Sequence, residues 1–352
     1  MVEKYAIECR KITKTFGPVV ANDEVDLSVK YGEILALLGE NGSGKTTLMN
    51  MLSGIYHPDA GEIYVAGEQA YIRSPIDAMG LGIGMIHQHF KLVEIFTAMD
   101  NIVLGADEKR QKPKELAAKI EAICKESGLE IDPYKRVRDM SVSEKQTVEI
   151  LKMLYRGAQI LILDEPTAVL TPQETAKLFT ILRGMRSRGC AVIIITHKLN
   201  EVIEISDRVA ILRKGKSVGT VETAETDLMQ LTELMVGRPV SLEIERPKPK
   251  DPQVILNVVD LSVIRPDGTK AIDDVSFSIR TGEILGVAGI AGSGQKELCE
   301  AIAGLTKASK GAALYKKENL LGKTPAEIIK LGISMSFVPE DRLGMGLVGS
   351  MG

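Results

Sequence analysis

The chain has no tryptophan, and phenylalanine, tyrosine and tryptophan together make up only 4% of its 352 residues. A surface that works by stacking aromatics on nucleobases is therefore disfavoured. Long apolar runs are also missing. The clean ones, such as Ala191–Ile195, fall far short of the ~18–20 residues that a membrane helix needs. No basic segment followed by an apolar one opens the chain, so no secretory leader is expected. Four cysteines, Cys9, Cys124, Cys190 and Cys299, lie far apart with no Cys-x-x-Cys spacing, which excludes a zinc knuckle and a redox pair and suits reduced thiols. There is no basic excess. The net charge is −3, so a protein held on nucleic acid by its own surface is disfavoured.

Glycine, by contrast, is plentiful at 33 residues, and much of it is in register with itself. Tyr31-Gly32-Glu33-Ile34-Leu35 is echoed by Thr281-Gly282-Glu283-Ile284-Leu285, an offset of 250. At the same offset Gly39, Gly44, Gly54 and Pro75 meet Gly289, Gly294, Gly304 and Pro325. Shared strand patterning alone would not hold glycines in one register, so the chain contains a duplicated domain. Ser241–Gln253 carries three prolines among alternating charges and reads as a semi-rigid linker. The expected organisation is a complete domain over 1–240, a linker over 241–253, and the N-terminal part of a second copy over 254–352.

Within the first copy, Val25, Leu27 and Val29 alternate with polar residues, as a half-buried strand does. Ile34–Leu38, Ile160–Leu163 and Ala191–Ile195 are short apolar runs of the kind buried on both faces of a parallel sheet, and Ile83–Ile86 is a further strand. Pro113–Gly128 predicts a helix with Leu116, Ile120 and Ile123 on its apolar face and a glycine stop. Thr171-Pro172-Gln173-Glu174 predicts a helix start with a capping box. Strands alternating with helices make an α/β domain with a largely parallel core sheet.

Gly39-Glu40-Asn41-Gly42-Ser43-Gly44-Lys45-Thr46 fits G-x-x-x-x-G-K-[ST], directly after a buried strand and before a helix predicted over Thr47–Leu52. Backbone N–H groups in such a loop close around phosphate oxygens, Lys45 reaches the β- and γ-phosphates, and the Thr46 hydroxyl suits Mg²⁺. Asp164 and Glu165 end an apolar strand at the edge where ligands bind in parallel sheets. Asp164 is the candidate metal carboxylate and Glu165 the candidate general base. His197 ends the Ala191–Ile195 strand as a candidate sensor of the terminal phosphate. Gln88, after the Ile83–Ile86 strand, can touch the metal or the attacking water. Phe16, in a polar stretch before the strand at Val25, is a candidate adenine platform.

The ordered set Phe16, Gly39–Thr46, Gln88, Asp164-Glu165 and His197 resembles the nucleotide-binding domain of ABC-type ATPases. The run Leu163–Glu174, together with His87-Gln88-His89-Phe90 and Pro339-Glu340-Asp341-Arg342, is similar to the tandem ATPase subunits of bacterial simple-sugar and nucleoside importers. The resemblance implies a P-loop NTPase fold of ABC type: a mixed core sheet with flanking helices, an antiparallel β-subdomain and a helical subdomain. It implies ATP and Mg²⁺, with Gly39–Thr47 and the signature serine binding nucleotide. It also implies transmembrane permease subunits, an extracellular solute-binding protein, a pair of ATPase domains closing head to tail, and a place on the cytoplasmic face of the plasma membrane.

Two departures stand out. The signature segment, usually Leu-Ser-Gly-Gly-Gln in the family, reads Met140-Ser141-Val142-Ser143-Glu144. It keeps Ser141, loses two glycines and gains a negative charge. Ser143–Gln146 also fits a helix-capping box. In the second phosphate loop, Lys45 and Thr46 are replaced by Gln295 and Lys296 at the 250-residue offset. One competent site, at Lys45, is expected. The counterparts of the signature, the acidic strand end and the histidine would fall near positions 390, 414 and 447, past Gly352. The expectation is therefore a second domain cut short, with ATP bound but turned over slowly unless another chain supplies the missing loop. A non-catalytic nucleotide-binding module and a ribosome-associated ABC protein are the alternatives. The short linker and the charge weigh against the second.

Overall fold

Residues 5–88, 90–106, 112–239, 249, 251–290, 292–333 and 336–339 are described in a computed structural model of the chain. Most of 241–253, His89, Glu340-Asp341-Arg342 and Gly344–Gly352 lie outside them. The chain divides into two units, Met1–Leu242 and Glu243–Gly352.

The first unit opens with two long strands, β1 (Tyr5–Phe16) and β2 (Val19–Lys30), then β3 (Ile34–Leu38) and helix α1 (Lys45–Leu52). β4 (Ala60–Val65), β5 (Glu68–Ala70), α2 (Pro75–Gly80) and β6 (Ile83–Ile86) follow. Three helices, α3 (Ala98–Val103), α4 (Pro113–Ser127) and α5 (Val142–Tyr155), lead to β7 (Ile160–Asp164) and α6 (Pro172–Ser187). β8 (Ala191–Ile195), α7 (Leu199–Ile205), β9 (Arg208–Arg213), β10 (Lys216–Glu222) and α8 (Leu228–Val236) complete it. The core sheet has the order β10-β9-β3-β8-β7-β6, parallel throughout except for the antiparallel edge strand β10. A second sheet, β2-β1-β4-β5, is antiparallel.

Because β3 is covered on both faces, it reads as an unbroken apolar run with every residue buried. Leu35 and Leu37 face a core shared with α1 and the antiparallel sheet. Ala36 and Leu38 face Val202 of α7 and Leu231 of α8, and Ile34 packs with residues of α3, α4, α5 and α6. α4 ends at Gly128, whose φ of 70° is one a side chain disfavours. Its buried face carries Ala117, Ile120 and Cys124, a rotation away from the expected Leu116–Ile120–Ile123 stripe. The capping box at Thr171 and Glu174 forms as the sequence predicts. α1 starts at Lys45, two residues before the predicted start, because Gly44 itself is the N-cap.

The second unit repeats the antiparallel sheet as β11 (Val254–Ile264), β12 (Lys270–Arg280), β13 (Lys310–Tyr315) and β14 (Glu318–Asn319), with α9 (Gln295–Ile302) and α10 (Pro325–Lys330). The two units share backbone irregularities as well as glycines. Glu24 and Asp274, and Ala66 and Lys316, are left-handed non-glycine residues at the 250-residue spacing. Lys11 pairs instead with Asp260, one residue short of that spacing. The β11–β12 hairpin thus holds one extra residue, and Arg265 is the counterpart of Phe16. The counterpart of β3 does not form a strand. Ile284, Val287 and Ile290 are exposed, whereas every residue of β3 is buried.

Candidate functional site

The strand order places β6, β7, β8 and β3 side by side, so the residues after their C-terminal ends converge on one edge. The loop after β3 turns into α1 through Gly44, with φ at 96°. A Cβ on Gly44 would lie 2.3 Å from the Ala21 carbonyl oxygen and 2.7 Å from Asn22 Nδ2. The contact also shows that the β1–β2 hairpin braces this loop. Lys45 folds back over it, its Nζ donating to the carbonyls of Gly39 at 2.8 Å and Glu40 at 2.9 Å. Burial pushes the Lys45 ammonium down from its ordinary value, and the charges of Glu165 and Asp164 oppose that shift. The lysine therefore lies within the field of both carboxylates. Thr46 is exposed and Thr47 half-buried on the first turn of α1.

Asp164 ends β7 and is half-buried. Desolvation, and then the neighbouring charge of Glu165, push its carboxyl up, against the pull of His87 and Lys45. Glu165 follows in a left-handed conformation with φ at 46°, rare for a non-glycine residue. Its amide donates to the Ile195 carbonyl of the adjacent strand at 2.9 Å, which ties this turn to the end of β8. One carboxylate oxygen accepts from Gln88 Nε2 at 3.1 Å, and the other lies 3.1 Å from His197 Nδ1. Three residues drawn from separate loops thus make direct contact. Gln88 gives one amide N–H to Glu165, and among the described residues no hydrogen bond engages its carbonyl oxygen.

Phe16 closes β1. Its ring is 42% exposed, meets Tyr56 edge-on at 5.2 Å, and carries Lys14 Nζ 5.6 Å from its centroid. It pairs with Val19 at the turn of the β1–β2 hairpin, whose Ala21 lies against the loop at Gly44. Ser141 is placed elsewhere. It is the N-cap of α5, accepting from the Glu144 amide at 3.2 Å while the Glu144 carboxylate accepts from the Ser141 amide at 2.7 Å. The capping box is therefore Ser141–Glu144, not Ser143–Gln146: Ser141 has the extended backbone a cap needs, and Ser143 is already helical. The Glu144 charge does not stand alone, because Lys135 Nζ lies 2.6 Å away. Among the described residues no hydrogen bond joins Ser141 to residues 39–47.

Asn22 escapes the sequence reading. It is fully buried in β2, donates Nδ2 to the Gly44 carbonyl at 3.3 Å, and leaves its Oδ1 without a partner among the described residues. The left-handed Glu24 shifts the alternation of β2, bringing Asn22 onto the same buried side as Val25. Ile272 fills the equivalent place in the second unit, so the fold accepts an aliphatic group there. Asn22→Leu is expected to keep the fold, with stability changed by about 1 kcal/mol, and to weaken nucleotide binding roughly 10-fold by freeing the loop carbonyl. Equilibrium dialysis beside thermal unfolding checks both, and unchanged affinity would reduce Asn22 to packing.

The model of the ABC transporter family matches residues 22–168 and 272–347. The nucleoside import ATP-binding protein NupA of Lactococcus lactis subsp. cremoris is 45% identical over 351 residues, 99% of this chain and 69% of that protein. The guanosine import ATP-binding protein NupO of Bacillus subtilis is 45% identical over 348 residues, 98% of this chain and 68% of that protein. Among solved structures, CbiO1 from Clostridium perfringens, part of the ABC transporter complex CbiONQ, covers 67% of this chain and 97% of its own with a TM-score of 0.57 and 26% identity. Fold, loop and relatives agree: the chain belongs to the ABC transporter family, as a nucleotide-binding ATPase with the P-loop fold.

Proposed function

We propose that this chain is the ATP-hydrolysing motor of an importer for a nucleoside or simple sugar, acting through a membrane permease. The reading rests on the Glu165 carboxylate, held between Gln88 and His197 in the field of Lys45. In this reading the backbone of Gly39–Gly44 and the Lys45 ammonium hold the ATP phosphates, and Phe16 stacks on adenine. Glu165 takes the proton of the attacking water. His197 and Gln88 orient that carboxylate and report the terminal phosphate. The donor set suits Mg²⁺, which binds through one or two carboxylates plus substrate phosphates: Thr46 offers a hydroxyl, Asp164 a carboxylate and Gln88 a carbonyl oxygen. Bound there, the ion would neutralise phosphate charge. Ser141, away from the Lys45 loop, would meet ATP held by the other domain of a head-to-tail pair, with permease subunits beneath and a solute-binding protein outside. The cytoplasmic face of the membrane follows from that assembly. Among the described residues no helix is long and apolar enough to cross a membrane.

The second loop supports one working site. Gln295 Nε2 donates to the Gly289 carbonyl at 3.2 Å, a neutral copy of the Lys45 contact. Arg265, in place of Phe16, pairs with Glu297 at 2.8 Å. In the transporter assembled with its permease, Lys45→Ala is expected to lower ATP turnover at least ~100-fold and Gln295→Ala less than about 3-fold. Phosphate release and labelled-nucleoside uptake measure both. Loss of turnover in Gln295→Ala but not in Lys45→Ala would reverse the assignment.

A further inference from the structure

The loops carrying Glu165 and His197 are joined by more than their mutual contact. Glu201, in the first turn of α7, reaches both. Its Oε2 accepts from the Thr167 hydroxyl at 2.6 Å and lies 3.4 Å from the Thr196 hydroxyl. Its Oε1 pairs with Lys198 Nζ at 3.1 Å. Lys198 Nζ in turn donates to the Thr167 carbonyl at 2.9 Å, and the Lys198 amide donates to the Thr196 hydroxyl at 3.1 Å. Thr167 and Thr196 are buried, 1% and 3% exposed. α7 is itself fixed, because Val202 packs beneath it against Ala36, Leu38, Val209 and Ile211. The carboxylate therefore stands on a rigid base between the two segments that follow adjacent strands. Thr167 lies within the turn that begins at Glu165, whose carbonyl accepts from the Ala168 amide at 3.1 Å. Thr196 directly precedes His197.

We propose that Glu201 is a positioning residue for ATP hydrolysis, clamping the Glu165 turn to the His197 segment through Thr167 and Lys198. The proposal rests on the reading of Glu165 and His197 as the hydrolytic pair. Charge-assisted bonds to a buried hydroxyl are short and directional. Losing them frees the two loops to drift apart without touching the phosphate loop. The clamp therefore governs the chemical step and not nucleotide capture.

In the transporter assembled with its permease, Glu201→Ala and Thr167→Val are each expected to lower kcat for ATP hydrolysis about 10- to 100-fold, with KM moved less than about 3-fold. The double variant falls no lower than the worse single one. Thr167→Ser, which keeps the hydroxyl, stays near the wild type. In the isolated full chain, where turnover is not needed, the His197 ring resonance is assigned by its loss in His197→Gln. It is expected to move in Glu201→Ala and to hold its place in Thr167→Ser. Unchanged kcat in both single variants, losses that multiply in the double variant, kcat and affinity falling together, or an unmoved His197 resonance overturns the clamp. A wild type that binds nucleotide without hydrolysing it removes the hydrolytic reading, and the His197 resonance then decides the clamp by itself.

Discussion

Glu165→Gln is expected to stop ATP hydrolysis while nucleotide stays bound. The amide has nearly the shape of the carboxylate and can still meet Gln88 and His197, each 3.1 Å from it in the native site. What it loses is the ability to take a proton from water. Positioned proton transfer contributes roughly 10²–10⁴-fold to a rate, so turnover should fall by about that factor. Affinity should hold within about 3-fold, because the phosphate contacts come from Lys45 and the loop backbone. Single-turnover hydrolysis together with filter binding separates the two effects. A loss below about 10-fold would mean that the water is activated elsewhere.

Gly44→Ala should do the reverse and abolish capture. The new Cβ would need to occupy space 2.3 Å from the Ala21 carbonyl oxygen, a backbone atom in a strand that cannot rotate away. The residue would also hold a φ of 96° that alanine resists. The loop must open or the β1–β2 hairpin must shift. Nucleotide affinity should drop about 100-fold or more, and stability by about 1–3 kcal/mol. Gly42→Ala is the control. Its φ of 78° carries a similar backbone cost, but its Cβ would meet no protein atom within 4 Å among the described residues. If the two variants bind nucleotide equally weakly, the close packing at Gly44 is not what matters.

Much of this site was legible before any coordinates. Gly39–Thr46 announced itself because strand, loop and helix occur together. The buried strands announced themselves because burial on both faces leaves no polar alternation. The contacts among Gln88, Glu165 and His197 were legible only in kind. Each residue follows a strand, but the order β3-β8-β7-β6 is not the chain order, and that order decides which side chains meet. Asn22 was hidden because a left-handed residue two places on breaks the period of two. Glu201 was hidden because a glutamate in the first turn of a helix looks like an ordinary dipole partner. The misplaced cap at Ser143 has the same origin: two overlapping S-x-x-E/Q patterns compete, and only backbone geometry chooses. The run after Glu283 shows the limit of repeat logic, since the shared Glu-Ile-Leu opening buries Ile34 and leaves Ile284 exposed.

In the second loop the demands of the fold and of the chemistry come apart. Gly294 has a φ of 97°, and a Cβ there would strike the Ala271 carbonyl at 2.3 Å, as one at Gly44 would strike Ala21. That demand comes from the hairpin alone and persists whether or not phosphate is ever bound. The next position is looser: lysine in one loop and glutamine in the other both reach the first carbonyl of the loop, and only the lysine brings a charge. The glycine is thus held by the same backbone contact in both loops, whereas the residue after it differs in charge between them. A glycine spacing by itself therefore reports how a loop is built, not what it binds.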